Sequence, residues 1–348
     1  MKTRATELFG VEHPVVQTGM GWVSGAPLTA ATANAGGLGI LAAAVMSYEE
    51  LESAIRDTKA RTTKPFGVNL RADSPDVVKC IELMAREGVK VASFALAPKQ
   101  DLIKRCKDHG MVVMPSIGAK RHAEKVAGWG VDAVIVQGGE GGGHTGQVPT
   151  TVLLPQVVDA VDIPVIAAGG FFDGRGLVAA LAYGAEGIAM GTRFLLTSDS
   201  TVGDAVKQVY LGKGVAETVV TTEVDGVPHR VLRTEFVDEL LKSRALGRMT
   251  RAVKNAVAFQ KLSGTPWKDV VTEGLAMRKS AELSLSQLVM AANTPMLLKA
   301  AMVDGRPDLG VMASGQVVGL IDDLPSCQEL ITRIMAEAEA TLKRLADA

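Results

Sequence analysis

The chain reads as α/β, a (β/α)8 TIM barrel carrying a smaller, mostly helical inserted substrate domain. Three observations predict this. Short β-branched apolar runs alternate with longer, alanine-rich amphipathic segments. The runs recur roughly every 20 to 30 residues, the spacing of parallel strands joined by right-handed helical crossovers. Eight such runs fit a closed barrel better than an open sheet. An open doubly wound sheet is the alternative, but the first run is not followed by a GxGxxG fingerprint, nor by an acidic residue about 20 positions on.

In chain order the strand candidates are 15–17, 38–41, 66–69, 91–94, 111–114, 133–136, 164–168 and 187–190. Helical patterns lie between them, among them 47–60, 76–87 and 177–183. Gly88, Gly110, Gly130 and Gly184 stand where each helix must stop and turn into the next strand. After Met190 the repeat is lost. Residues 205–289 read as helices and irregular segments, including the β-rich 218–222 and the hairpin-like Val224-Asp225-Gly226-Val227. From residue 286 onward, apolar positions and the loop 313–316 imply a return to the barrel. The expected division is therefore a barrel over 1–204, a cap over 205–289 and a returning segment over 290–348.

Composition narrows the function. With 348 residues, 47% hydrophobic and 22% charged, the chain can bury a large core, and a net charge of −1 offers no general field for nucleic acid or an anionic membrane. Aromatics at 4% argue against a stacking platform for single strands. Cys80, Cys106 and Cys327 form no CxxC and read as packing thiols of a reducing compartment. The N-terminus lacks an apolar h-region, and the apolar segment 287–303 is interrupted by Asn293, Thr294, Pro295 and Lys299. A cytoplasmic protein with no membrane and no nucleic-acid partner is expected. No HExxH, GxSxG or Walker pattern occurs, and no metal site is expected.

In a barrel the site lies at the C-terminal ends of the strands. The residues found there are Thr18, Gly19 and Met20 after the first strand, Asn69 at the end of the third, Ser116 after the fifth and Gln137 after the sixth. Gln137 opens the glycine-rich loop 137–146, which contains Gly142, Gly143 and His144. Gly169 and Gly170 follow the seventh strand, and Gly191 and Thr192 the eighth. Glycines there let backbone N–H groups approach a phosphate, to which the Thr192 hydroxyl adds a bond; mere tight turns are the less favoured alternative, given the paired placement of the two loops. For Asn69, Ser116 and Gln137, local backbone satisfaction fits as well as ligand contact. His144 is the side chain of its loop that exchanges a proton near neutral pH, against the alternative of a structural histidine. The basic run from Lys242 through Arg244, Arg248, Arg251, Lys254, Lys261 and Lys268 to Arg278 and Lys279 meets only Asp269 and Glu273 as acids. It suits either a solvated helical face or an anionic tail such as a nucleotide phosphate, with Arg278 and Lys279 as substrate contacts.

Residues 16–21, 66–69, 140–144, 168–176 and 190–194 together resemble the nitronate monooxygenase (2-nitropropane dioxygenase-like) family of FMN-dependent TIM barrels. The resemblance implies FMN, with its phosphate on the Gly169-Gly170 and Gly191-Thr192 loops and its ring near Thr18, Gly19, Met20 and Asn69. Ser116, Gln137, Gly142 and Gly143 complete the implied cofactor neighbours, and His144 is the implied acid/base over the ring. Two positions depart from the pattern: Ser116 stands where a lysine is expected, and Gln137 where an aspartate is. The stretches 138–146 and 195–201 look most like family members that act on a steroid-derived indane-carboxyl-CoA in the breakdown of cholesterol rings C and D. The implied reaction reduces or dehydrogenates a carbon–carbon bond of a CoA thioester, FMN N5 carrying the hydride and His144 the proton, with NAD(P)H as a candidate electron partner. Nitronate oxidation with O2 stays open as the alternative, and a non-redox barrel that keeps only the phosphate loops is a third reading.

Overall fold

The computed structural model describes residues 1–95, 97–242 and 293–348. Its strands are β1 (Val15–Gln17), β2 (Leu38–Ala42), β3 (Gly67–Leu70), β4 (Val91–Phe94), β5 (Val112–Ile117), β6 (Val134–Gln137), the two-residue β7 (Gly143–His144) outside the barrel, β8 (Val165–Ala168) and β9 (Gly187–Met190). All but β7 lie side by side in that order, and β9 pairs back onto β1 with Ala189 opposite Val16, which closes the barrel. The eight runs expected from the sequence are all present, with ends displaced by a few residues. Ser116 falls inside β5 and Gln137 is the last residue of β6, so both belong to strands rather than to the loops after them.

The strands are continuous apolar runs because both faces of a barrel sheet are covered. Inward, Val16, Leu38, Ile40, Val91, Met114, Ile135, Ile166 and Ala189 form one buried cluster, joined by Ala5 and Phe9 of α1 (Arg4–Phe9), the short helix that precedes β1. Outward, Leu41, Val68, Phe94, Val113, Val134 and Ile188 pack in a second cluster with the helical ring. That ring comprises α2 (Ala26–Asn34), α3 (Tyr48–Arg61), α4 (Val77–Glu87), α5 (Gln100–Asp108), α6 (Lys120–Gly128), α7 (Thr150–Val158) and α8 (Gly174–Ala182). Ser47 caps α3 in a reciprocal box with Glu50, and Gly88, Gly110, Gly130 and Gly184 all take positive φ where a helix ends, as their spacing predicts.

After β9 come the short α9 (Thr192–Leu195), then α10 (Asp204–Leu211), β10 (Thr218–Thr221), β11 (His229–Leu232) and α11 (Glu235–Lys242). The hairpin anticipated around residues 218–227 forms, and β11 adds β7 on its other edge, giving an antiparallel sheet in the order β10-β11-β7. The described part of the expected cap thus contains helix and ribbon alike. Val224, Val231, Val237 and Leu240 pack on Leu297 of α12 (Asn293–Met302) and on Val311. The last helix, α13 (Cys327–Ala346), lies on α8 and α2 of the helical ring. Among the described residues no helix is long and apolar enough to cross a membrane.

One position tests the packing of β2 against α2. A Cβ on Gly39 would overlap the carbonyl oxygen of Thr29, a backbone atom with no room to retreat. Gly39→Ala is expected to cost about 3 kcal/mol of stability or more by overpacking, measured by urea unfolding; a loss below about 1 kcal/mol would mean that α2 slides freely on the sheet.

Candidate functional site

At the C-terminal mouth the ends of β1 and β3 are fixed by buried polar side chains. Gln17, fully buried at the end of β1, donates from Nε2 to Ser24 Oγ at 2.8 Å, to the Ile40 carbonyl at 3.1 Å and to the Thr18 carbonyl. Ser24 in turn accepts from Met20 N at 2.9 Å and donates to the Thr18 carbonyl at 2.9 Å, closing the Thr18–Met20 turn. This turn presses on β3, where a Cβ at Gly19 would overlap the Asn69 side chain. Asn69 Nδ2 donates to Ser93 Oγ at 3.2 Å. Two residues on, Trp22 holds φ 64, a left-handed value found at no other non-glycine among the described residues, and its Nε1 donates to the Pro295 carbonyl at 2.9 Å. Strain of this kind persists where the surroundings fix the backbone, and here it ties the β1 turn to α12.

The glycine-rich loop folds on itself more than it opens to a ligand. A Cβ at Gly138 would strike Thr150, one at Gly141 would come within 2.6 Å of the Gln137 amide, and one at Gly142 would lie 2.5 Å from the Ser314 carbonyl carbon. Gly143, at φ 74, faces open space. The returning segment clasps both this loop and the start of α9: Gln316 N donates to the Glu140 carbonyl at 3.0 Å and Gly315 N to Thr192 Oγ1 at 3.0 Å. Glu140 turns its carboxylate to the start of α7, accepting from Thr150 N and from Thr150 Oγ1 at 2.8 Å. Gln137 Nε2 donates to the His144 carbonyl at 2.9 Å, so the residue that departs from the family pattern supports the loop's backbone.

Gly169 and Gly170 take φ 99 and 82. A Cβ on Gly169 would crowd Thr150, whereas one on Gly170 would meet only Glu140 Cβ, at 3.7 Å, and otherwise project into the mouth. Gly191 adjoins Met20 and Thr18, whose side chains a Cβ would approach at 3.3 Å. The N–H groups of Gly170 and Thr192 have no acceptor among the described residues. Two free backbone donors on glycine-lined turns, one of them adjoining Thr18 and Met20 through Gly191, suit the approach of a phosphate. The Thr192 hydroxyl oxygen accepts from Gly315 N, which leaves its O–H able to donate. Arg193 turns away, buried, to Asp323 Oδ1 at 2.8 Å.

His144 lies on β7, directly opposite His229 of β11, with its side chain 56% exposed. Its Nε2 is 2.7 Å from Asp225 Oδ2, and its ring centroid is 4.6 Å from that of His229. Asp225 and His229 are buried. Burial pushes the His229 imidazole below its ordinary pKa, the nearby Asp225 carboxylate partly offsetting this. Neither residue is evident from sequence reasoning as part of the site; the signal available was Asp225-Gly226 at a hairpin tip, read only as a turn. Arg230, next along β11, binds the Gly139 carbonyl from Nη2 at 2.9 Å and so joins the ribbon to the glycine loop. Arg278 and Lys279 lie outside the described residues.

The nitronate monooxygenase family model matches residues 2–81 and 76–337. The chain is 65% identical over 342 residues to a (3aS,4S,5R,7aS)-5-hydroxy-7a-methyl-1-oxo-octahydro-1H-indene-4-carboxyl-CoA dehydrogenase of Mycobacterium tuberculosis, covering 97% of this chain and 96% of the relative. It is 63% identical over 338 residues to the protein of the same description from Rhodococcus jostii, with the same coverage. Among solved structures, FabK from Thermotoga maritima superposes with a TM-score of 0.82 at 34% identity, over 100% of this chain and 99% of that one.

Proposed function

The chain belongs to the nitronate monooxygenase family, and from that premise we propose that it is an FMN-dependent oxidoreductase acting on a steroid-derived CoA thioester, of the kind that its Mycobacterium and Rhodococcus relatives are named for. The observation that carries the reading is the 63% and 65% identity to those dehydrogenases, each over 97% of the chain. Beside it stands a barrel mouth whose Gly170 and Thr192 backbone donors are free for a phosphate.

Gly169, Gly170, Gly191 and Thr192 would hold the FMN phosphate, and Thr18, Gly19, Met20 and Asn69 its ring, with Ser116, Gln137, Gly142 and Gly143 around them. When bound, FMN supplies the centre that exchanges a hydride with substrate. The chain's own contribution is to the proton. A thioester carbonyl acidifies the carbon beside it, and His144, exposed on β7, is the imidazole placed to take or return that proton. Residues 205–289 serve as the substrate side of the molecule, Arg278 and Lys279 meeting the anionic CoA tail. NAD(P)H is the proposed electron partner and the cytoplasm the proposed compartment.

The experiment compares two substrates on purified, yellow holoprotein. Conversion of an indane-carboxyl-CoA thioester, with no oxygen uptake on propionate 3-nitronate, is expected; the reverse result would replace the thioester reading with nitronate oxidation. The CoA tail has its own check. Arg278→Glu combined with Lys279→Glu is expected to raise KM for the thioester and leave flavin content unchanged, because contacts to a remote phosphate act on ground-state binding. A KM equal to that of the parent at low and high salt would return both residues to a solvated face.

A further inference from the structure

The hairpin that joins β10 to β11 brings a carboxylate to His144, and its geometry is specific. Asp225 Oδ1 accepts from Val227 N at 3.2 Å, an Asx turn completed by Gly226 at φ 86, which fixes the side chain before it meets any partner. The other oxygen, Oδ2, then lies 2.7 Å from His144 Nε2. The carboxylate is only 5% exposed and backed by the His229 ring, whose Nδ1 stands 3.7 Å from Oδ2, beyond hydrogen-bonding reach. Both His229 ring nitrogens are buried without a hydrogen-bond partner among the described residues.

We propose that Asp225 is the positioning residue of His144: it accepts the Nε2–H, holds the imidazole in that tautomer, and leaves Nδ1 as the atom that exchanges the substrate proton. The proton balance follows. The Nδ1 lone pair takes a proton from the carbon beside the thioester carbonyl, the C–H electron pair passing onto that carbonyl as an enolate, and the resulting imidazolium is paired with the Asp225 carboxylate. The proton then leaves Nδ1 to water, which reaches the half-exposed ring; Asp225 remains ionised throughout. Burial pushes the His229 imidazole below its ordinary pKa, which disfavours a second imidazolium beside the Asp225 carboxylate that His144 meets. The His229 ring, tilted 53° to that of His144, screens the carboxylate from solvent, where the pairing would weaken. The antiparallel register that sets His229 opposite His144 holds this arrangement through backbone bonds of the ribbon.

The same three residues are also a donor set for a transition metal, their ligand atoms lying within 4.8 Å of one another. The 2.7 Å contact favours a shared proton, and one experiment separates the two uses. This role rests on His144 as the acid/base, yet the tautomer is readable without any substrate. Holoprotein labelled with 15N at histidine is compared, by long-range proton–nitrogen spectra, with the isosteric variant Asp225→Asn. In the parent, His144 is expected as the Nε2–H tautomer, unaltered by EDTA. In the variant that preference is lost, while the signals of His13, His109 and His122 stay in place as evidence of an intact fold. On the accepted substrate, kcat of the variant should fall on the order of 10²-fold or more, with KM changed far less. A parent His144 in the Nδ1–H form, a tautomer indifferent to Asp225→Asn, or a histidine spectrum that EDTA changes would each overturn the proposal, the last by putting a metal where the proton was assigned.

Discussion

His144→Ala is expected to lower turnover by on the order of 10²–10⁴ while FMN stays bound, the range for loss of a positioned acid or base. The two jobs are physically separate. The phosphate donors proposed at Gly170 and Thr192 lie on the loops after β8 and β9, whereas the imidazole projects from β7, a strand of a different sheet. Alanine keeps the β7–β11 backbone pairing, in which His144 is opposite His229, so the ribbon has no reason to detach. The measurements are kcat and flavin content per polypeptide, together with a pH–rate profile that should lose one limb. Retained turnover at saturating substrate would mean that His144 shapes the loop only, and the proton would have to be moved by another group at the mouth.

Gly170→Val should abolish FMN retention in a barrel that still folds. Gly170 sits at φ 82, a conformation a β-branched residue rarely adopts, at a strain of about 1–3 kcal/mol. The added Cβ would meet nothing closer than Glu140 Cβ at 3.7 Å, so the substitution fills space in the mouth without breaking the core. The branched side chain then stands where the phosphate must approach the backbone N–H. Flavin absorbance near roughly 450 nm on the purified variant, beside a circular dichroism spectrum, decides the matter. Normal flavin content would move the phosphate to other loops. Gly169 is a poorer probe, because its would-be Cβ runs into Thr150 and folding itself is at risk.

The barrel was legible because its signals are local and repeated. A buried strand must be apolar on both faces, and a helix that stops before it needs a residue able to turn left-handed, so Gly88, Gly110, Gly130 and Gly184 mark the repeat without any tertiary knowledge. The mouth was legible by the same logic, since closure of eight parallel strands brings their C-terminal ends together whatever the loops contain. Asp225 was not legible as a neighbour of His144. They are separated by 81 positions, and their meeting depends on β11 adding the two-residue β7 to its edge, a pairing that leaves no periodic trace in so short a strand. The glycine loop misled in a different way. Its composition reads as room for a ligand, yet Gly138, Gly141 and Gly142 lack a Cβ because Thr150, Gln137 and Ser314 fill that space. At Thr192 the structure adds a contact that the sequence does not announce, Gly315 N donating to its hydroxyl oxygen, which leaves the O–H itself to donate elsewhere.

That clasp bears on the order in which a newly made chain becomes competent. Chains emerge from the ribosome N-terminal end first, at about 5–20 residues per second, and all the barrel strands precede residue 191. The glycine loop and Thr192 nevertheless find their partners at Gly315 and Gln316. A barrel made early therefore waits, with its mouth unfastened, for more than a hundred further residues before the turns proposed to grip the cofactor phosphate are held in place. Capture of the proposed flavin at these turns would then be a late event in biogenesis, following synthesis of the returning segment rather than guiding the barrel's own collapse.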